Sequence, residues 1–134
     1  MAAARWALDE ASHRRADVEL VCCRHAPYMA ETSGHTVAYL TPEDMTAQST
    51  RVLADTLSTL EPDVTGARDK GCRVQTRVLE GPPGPVLVTE SKGASMLVVG
   101  RRGHGALVRL LLGSVSRYVM LHATCPVVVL GAPE

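Results

Sequence analysis

The alternation of short β-branched runs with stretches of helical period constrains this chain more than any other feature. The runs are Val18 to Cys23, Cys72 to Glu80, Met96 to Val99 and Val127 to Leu130. Ala4, Ala7, Leu8 and Ala11 recur at helical spacing in a helix over 4–15. Met45, Val52, Leu53, Leu57 and Leu60 mark a second helix, with Thr41 at its cap and Pro42 at its first position. It runs to about Leu60, where Pro62 kinks or restarts it, and Gly71 ends the segment. A short helix at about 84–92 follows the turn Gly81-Pro82-Pro83-Gly84-Pro85. Another starts near Ser114 and stops at Thr124-Cys125-Pro126, and residues 28–41 read as loop. The order α, β, α, β, α, β, loop, α, β implies an α/β fold: a doubly wound, Rossmann-like parallel sheet in three α/β/α layers. Cys72 to Glu80 puts Val74 and Val78 on one face and Arg73, Gln75 and Arg77 on the other, which marks an edge strand.

At 134 residues the chain has the length of one domain, 1–134. Phe is absent, so Val, Leu and Ala fill the core. Basic and acidic residues balance at 14 each, which leaves no excess to hold a nucleic-acid backbone. No apolar run approaches the ~18 residues of a membrane span, and no secretory segment follows Met1, so a cytoplasmic protein is expected. Cys22, Cys23, Cys72 and Cys125 form no C-x-x-C pair and read as reduced thiols. His13, His35 and His122 show no ligand spacing, so no metal site is expected.

The chemistry is carried by the segment from Gly100 to Ser114. It leaves the carboxyl end of the most hydrophobic strand and opens a helix, which is where open α/β sheets bind ligands. Glycines let backbone N–H groups approach phosphate oxygens, and a helix mouth offers unpaired donors and a positive dipole end. Ser114 adds a hydroxyl at the cap. Neither G-x-x-x-x-G-K-[ST] nor G-x-G-x-x-G occurs, so this is neither a Walker loop nor the standard dinucleotide fingerprint.

The spacing Gly-x2-Gly-x9-Gly-Ser, met by Gly100, Gly103, Gly113 and Ser114, resembles the nucleotide-binding signature of the universal stress protein family. Leu97-Val-Val-Gly-Arg-Arg-Gly, Leu111-Leu-Gly-Ser-Val-Ser-Arg, Cys125-Pro-Val-Val-Val and Ala4-Arg-Trp-Ala-Leu-Asp-Glu-Ala are similar to the same family. The resemblance implies an adenine nucleotide alpha hydrolase-like fold and a stress-response regulatory protein that binds ATP, with or without Mg2+, and hydrolyses it slowly at most. It implies that Gly100 and Gly103 line the ribose and phosphate path, and that Gly113, Ser114 and the Val115 N–H hold the outer phosphates. Cys23 and Arg24, at the end of the corresponding strand, would flank the adenine. Arg101, Arg102 and His104 lie in the same loop; the arginines face phosphate or solvent, and His104 acts in proton transfer or sits at the surface. A homodimer through Val127–Leu130 is implied as well.

Two departures qualify the resemblance. The family opens with a strand ending in Asp-Gly-Ser, and here Met1 falls near the start of the first helix, so the first strand is missing. An upstream start or a truncated gene is the preferred explanation; direct pairing of the strands at Val18 and Met96, or a strand from a partner chain, also satisfies the pattern. Pro82 stands where the family has a small polar residue or Asp, and it weakens the next helix start. The alternative function is therefore a protein-interaction module of the same fold that has lost nucleotide binding. An adenylyl transferase is disfavoured because the histidine signature of those enzymes is absent.

Overall fold

The computed structural model describes residues 1–24, 42–101 and 112–131, and of 42–45 the backbone only. The elements are α1 (Ala2–Arg14), β1 (Val18–Arg24), α2 (Pro42–Thr59), α3 (Glu61–Asp69), β2 (Val74–Glu80), α4 (Pro83–Glu90), β3 (Leu97–Gly100), α5 (Ser114–His122) and β4 (Val127–Leu130). The loop expected over 28–41 and most of the glycine loop lie outside the described residues.

Local chemistry explains the boundaries. α1 stops where Arg15 turns left-handed, at φ 53 and ψ 43, and its N–H bonds the Ala11 carbonyl. His13 and Arg14 occupy the last turn, where the helix dipole favours positive charge. The long helix expected to reach Leu60 is two helices. Pro62 sits in the first turn of α3, where its missing N–H costs nothing, and Leu60 bridges the break. The Leu60 N–H donates to the Thr56 carbonyl at 3.0 Å, and its own carbonyl accepts from Val64 at 2.8 Å. α4 forms despite Pro82, which gives no side-chain cap, because Pro83 at its first position is already preset for helix.

Both ladders are parallel. β1 pairs β2 from Val18 opposite Val74 to Arg24 opposite Glu80, and β3 pairs β4 from Leu97 opposite Val127 to Gly100 opposite Leu130. Direct pairing of the strands at Val18 and Met96 is not what the structure adopts. Among the described residues they belong to two separate two-stranded sheets, and α1 packs on β1, β3 and β4 at once. The halves are therefore joined by the footprint of a helix and not by a ladder. β2 has β1 as its one ladder partner among the described residues.

The core sits on the β1–β2 side. Leu8, Leu60, Val64, Ala67 and Cys72 form one buried cluster, flanked by Ala4, Val18, Leu57 and Val74. Burying each leucine stabilises the fold by roughly 1.5–3 kcal/mol. The Cys72 thiol donates to the Ala11 carbonyl at 3.3 Å, and all four cysteines are free. On the other side, α4 and α5 meet closely at Gly84. A Cβ there would lie 2.8 Å from Cδ1 of the Tyr118 ring, so the crossing admits only glycine without movement. No described helix is long and apolar enough to cross a membrane.

Candidate functional site

Each half-sheet progresses outward from its first strand, β1 to β2 on one side and β3 to β4 on the other. The carboxyl ends of β1 and β3 thus flank the point where the winding reverses, where open α/β sheets take ligands. β3 ends there at Gly100, and the glycine loop begins.

The neck of that loop is tied at Arg101. Its N–H donates to the Leu130 carbonyl at 2.6 Å, which extends the β3–β4 ladder by one residue. Its carbonyl accepts from the Gly113 N–H at 2.7 Å, so departing and returning chain are held together. Ser116 reinforces the knot: it is 1% exposed, and its hydroxyl lies 3.0 Å from the carbonyl oxygens of both Arg101 and Gly113. Sequence reasoning missed Ser116. The available signal was its place three residues before Val119, which puts it on the inward face of α5.

The mouth of α5 has no side-chain cap among the described residues. Ser114 was expected at the cap, but the cap residue is Gly113, at φ −66 and ψ 158, which makes no side-chain cap bond. Ser114 is the first helical residue and is exposed. The first intrahelical bond runs from the Arg117 N–H to the Gly113 carbonyl at 3.0 Å. The N–H groups of Ser114, Val115 and Ser116 precede it and have no partner within the helix. Arg101 Nε is sealed from solvent and has no acceptor among the described residues. A guanidinium N–H buried without an acceptor is costly, and an anion would relieve it.

At the end of β1, the Arg24 guanidinium bonds Glu80 at 2.8 Å across the ladder, and its side chain is 16% exposed. Burial pushes the neighbouring Cys23 thiol above its ordinary range, with smaller contributions from Cys22 and Glu90. A cavity of about 540 Å³ joins β1 to β3, and Cys22, Gly100, Val115 and Met1 all line it. Cys23, Arg24, Gly113 and Ser114 are not among its lining residues. Arg102, Gly103 and His104 lie outside the described residues. Among the described residues, no cluster of three His, Cys, Asp or Glu could hold a metal ion.

Residues 1–131 match the Universal stress protein family. A universal stress protein of Mycolicibacterium smegmatis is 35% identical over 143 residues, an alignment that covers 96% of this chain and 42% of that relative. The chain thus spans less than half the length of that relative. The solved universal stress protein UspA from Lactobacillus plantarum superposes with a TM-score of 0.68 at 20% identity, covering 96% of this chain and 87% of that one. The universal stress protein from Archaeoglobus fulgidus in complex with dAMP superposes with a TM-score of 0.53 at 25% identity, covering 93% and 82%. With the parallel strands and the glycine neck already described, these matches establish that the chain belongs to the universal stress protein family.

Proposed function

We propose that this chain, acting as one unit over 1–134, binds an adenine nucleotide at the carboxyl ends of β1 and β3. The phosphates meet the mouth of α5. The observation that carries this reading is that, among the described residues, the N-terminus of α5 has no side-chain cap and the buried Arg101 Nε has no acceptor. Gly113 holds the mouth in place and adds no side chain in front of it, which leaves the Ser114, Val115 and Ser116 amides for an anion. The dAMP held by the Archaeoglobus fulgidus relative supports an adenylate in particular.

The finer reading is ATP, with Mg2+ carried on its phosphates. Gly100 and Gly103 follow the ribose and phosphates, Arg101, Arg102 and His104 surround them, and the end of β1 at Cys23 and Arg24 flanks the base. The reading extends to a cytoplasmic, homodimeric stress regulator joined through Val127–Leu130, with slow hydrolysis at most. One observation favours the second reading, an interaction module without nucleotide: β1 and β3 share no ladder, so the base would rest against an interrupted sheet.

Calorimetric titration with ATP, dAMP and adenosine, each with and without magnesium, separates the two. The nucleotide reading expects saturable binding of the phosphorylated ligands and much weaker binding of adenosine. Undetectable heat for every ligand at millimolar concentration rejects it in favour of the interaction module.

A further inference from the structure

The turn from β2 into α4 closes the carboxyl end of the β1–β2 pair, where the Gly81 N–H donates to the Arg24 carbonyl at 2.8 Å. Gly81 adopts φ 128, and a Cβ on it would lie 2.9 Å from Cγ2 of Val86, so only glycine makes this turn without strain. Pro82, Pro83, Gly84 and Pro85 follow. They are the cap and the first three residues of α4, the positions whose N–H groups have no partner within a helix. The three prolines have no N–H at all. The amide of Gly84 lies on a residue buried at the crossing with Tyr118. The next amide, of Val86, donates to the Pro82 carbonyl at 3.1 Å. From Gly81 to Val86 every amide is therefore spent, missing or buried.

α5 begins in the opposite way. The Gly113 N–H is spent on the Arg101 carbonyl, and the N–H groups of Ser114, Val115 and Ser116 then have no partner within the helix. α4 and α5 pack side by side, one with a mouth that donates and one without. Arg24 supplies positive charge at the β1–β2 end, and its guanidinium bonds the Glu80 carboxylate at 2.8 Å. The Arg24 side chain is 16% exposed and that of Glu80 is 79% exposed, so an approaching anion meets the carboxylate first. An exposed pair of this kind contributes little to stability, but it decides which charge a ligand encounters.

We propose that Glu80, Pro82, Pro83 and Pro85 are specificity-determining residues that bar a second phosphate from the base end of the nucleotide site. The inference rests on the reading of that site given above, with the base at the end of β1 and the phosphates at α5. It names the ligand class more narrowly, as an adenylate phosphorylated at the 5′ position alone. An adenylate with a further phosphate on its 2′ or 3′ hydroxyl is rejected, because that group would exchange water for a wall without amide donors and lie against Glu80. The prolines also fix φ through the turn, so the backbone does not rearrange to supply the missing donors.

The probes are adenosine 5′-monophosphate, adenosine 2′,5′-bisphosphate and adenosine 3′,5′-bisphosphate, each titrated into the full chain by calorimetry at low and high salt. The unaltered chain is expected to bind both bisphosphates more weakly than the monophosphate. Glu80→Gln removes the exposed negative charge, and Pro82→Ser combined with Pro83→Ala restores two amides at the mouth of α4. Each should move the affinity ratio towards a bisphosphate by about threefold or more. The Glu80→Gln shift should shrink at high salt, since it is electrostatic and exposed. If the proline variant fails to fold, Glu80→Gln, a change at an exposed side chain, decides the matter. A bisphosphate bound by the unaltered chain as tightly as the monophosphate, or more tightly, overturns the proposal. So does a ratio that stays unmoved in either folded variant. Binding of no adenylate at all rejects the nucleotide reading and this inference with it, whereas monophosphate binding with a preferred bisphosphate rejects this inference alone.

Discussion

The two strand pairs of this protein are built alike and held differently. β1 and β2 run together for seven residues, each flanked by helices that share one buried cluster around Leu8 and Leu60. Cross-strand ion pairs, Asp17 with Arg73, Glu19 with Arg77 and Arg24 with Glu80, stitch its surface. β3 and β4 run together for four residues, and their buried side chains are Val99 with Val119 and Ser116 of α5. The first pair is scaffold. The second trades packing for backbone donors with no partner in their own helix, at the mouth of α5, and that is where ligand chemistry is available.

The largest effect that sharpens this contrast is expected at Leu60, which is fully buried. Leu60→Ala should cost about 2–5 kcal/mol of stability by denaturant unfolding, yet leave nucleotide affinity unchanged in the fraction that remains folded. Gly84→Ala comes next. Its methyl presses on the base of the Tyr118 ring, so a loss of roughly 1–3 kcal/mol is expected, with α5 displaced and affinity reduced. Combining it with Tyr118→Ala should restore both, and failure to do so would show that the crossing of α4 and α5 does not set the site. Ser116→Ala removes the hydroxyl at the neck, at a cost of about 1 kcal/mol. Its effect on affinity should exceed its effect on stability, whereas an equal drop would make Ser116 part of the scaffold.

Gly113→Asp should change stability by only a few tenths of a kcal/mol, or raise it, because aspartate is a good helix cap. That carboxylate would occupy the donors a phosphate needs, so affinity should vanish while unfolding stays normal. The smallest effect belongs to the scaffold surface. Hydrogen bonds from Arg73 hold the Asp17 carboxyl below its ordinary range. Its contribution is present above the unfolded value near ~3.9 and is lost as pH falls through the lower folded value. An acid titration of stability should therefore show Asp17→Asn diverging from the parent chain above that range and converging below it.

The scaffold was largely legible in the sequence. Helical period located Leu8 and Leu60, alternation marked β2 as a strand, and Pro62 announced the break between α2 and α3. These are local signals, fixed by neighbours a few residues apart. The separation of β1 from β3 was not written in local pattern, because strand pairing joins residues far apart in sequence; direct pairing was an alternative behind the preferred upstream start or truncated gene. At the site, the glycines pointed to the neck and to α5, but the cap fell on Gly113 and not on Ser114. The roles of Ser116 and of Gly84 under Tyr118 were hidden, because each depends on a contact with a distant element. A lone serine in a helix gives no hint that two loop ends converge on it.

The central claim is that the amides at the start of α5 receive a phosphate. Amide chemical shifts of the chain during titration with ATP test it most directly. The account predicts large, saturable shifts at Ser114, Val115 and Ser116, with the amides of β2 nearly still. Unchanged shifts at those three residues while ATP saturates the protein elsewhere, or no saturation at millimolar ATP, would contradict it.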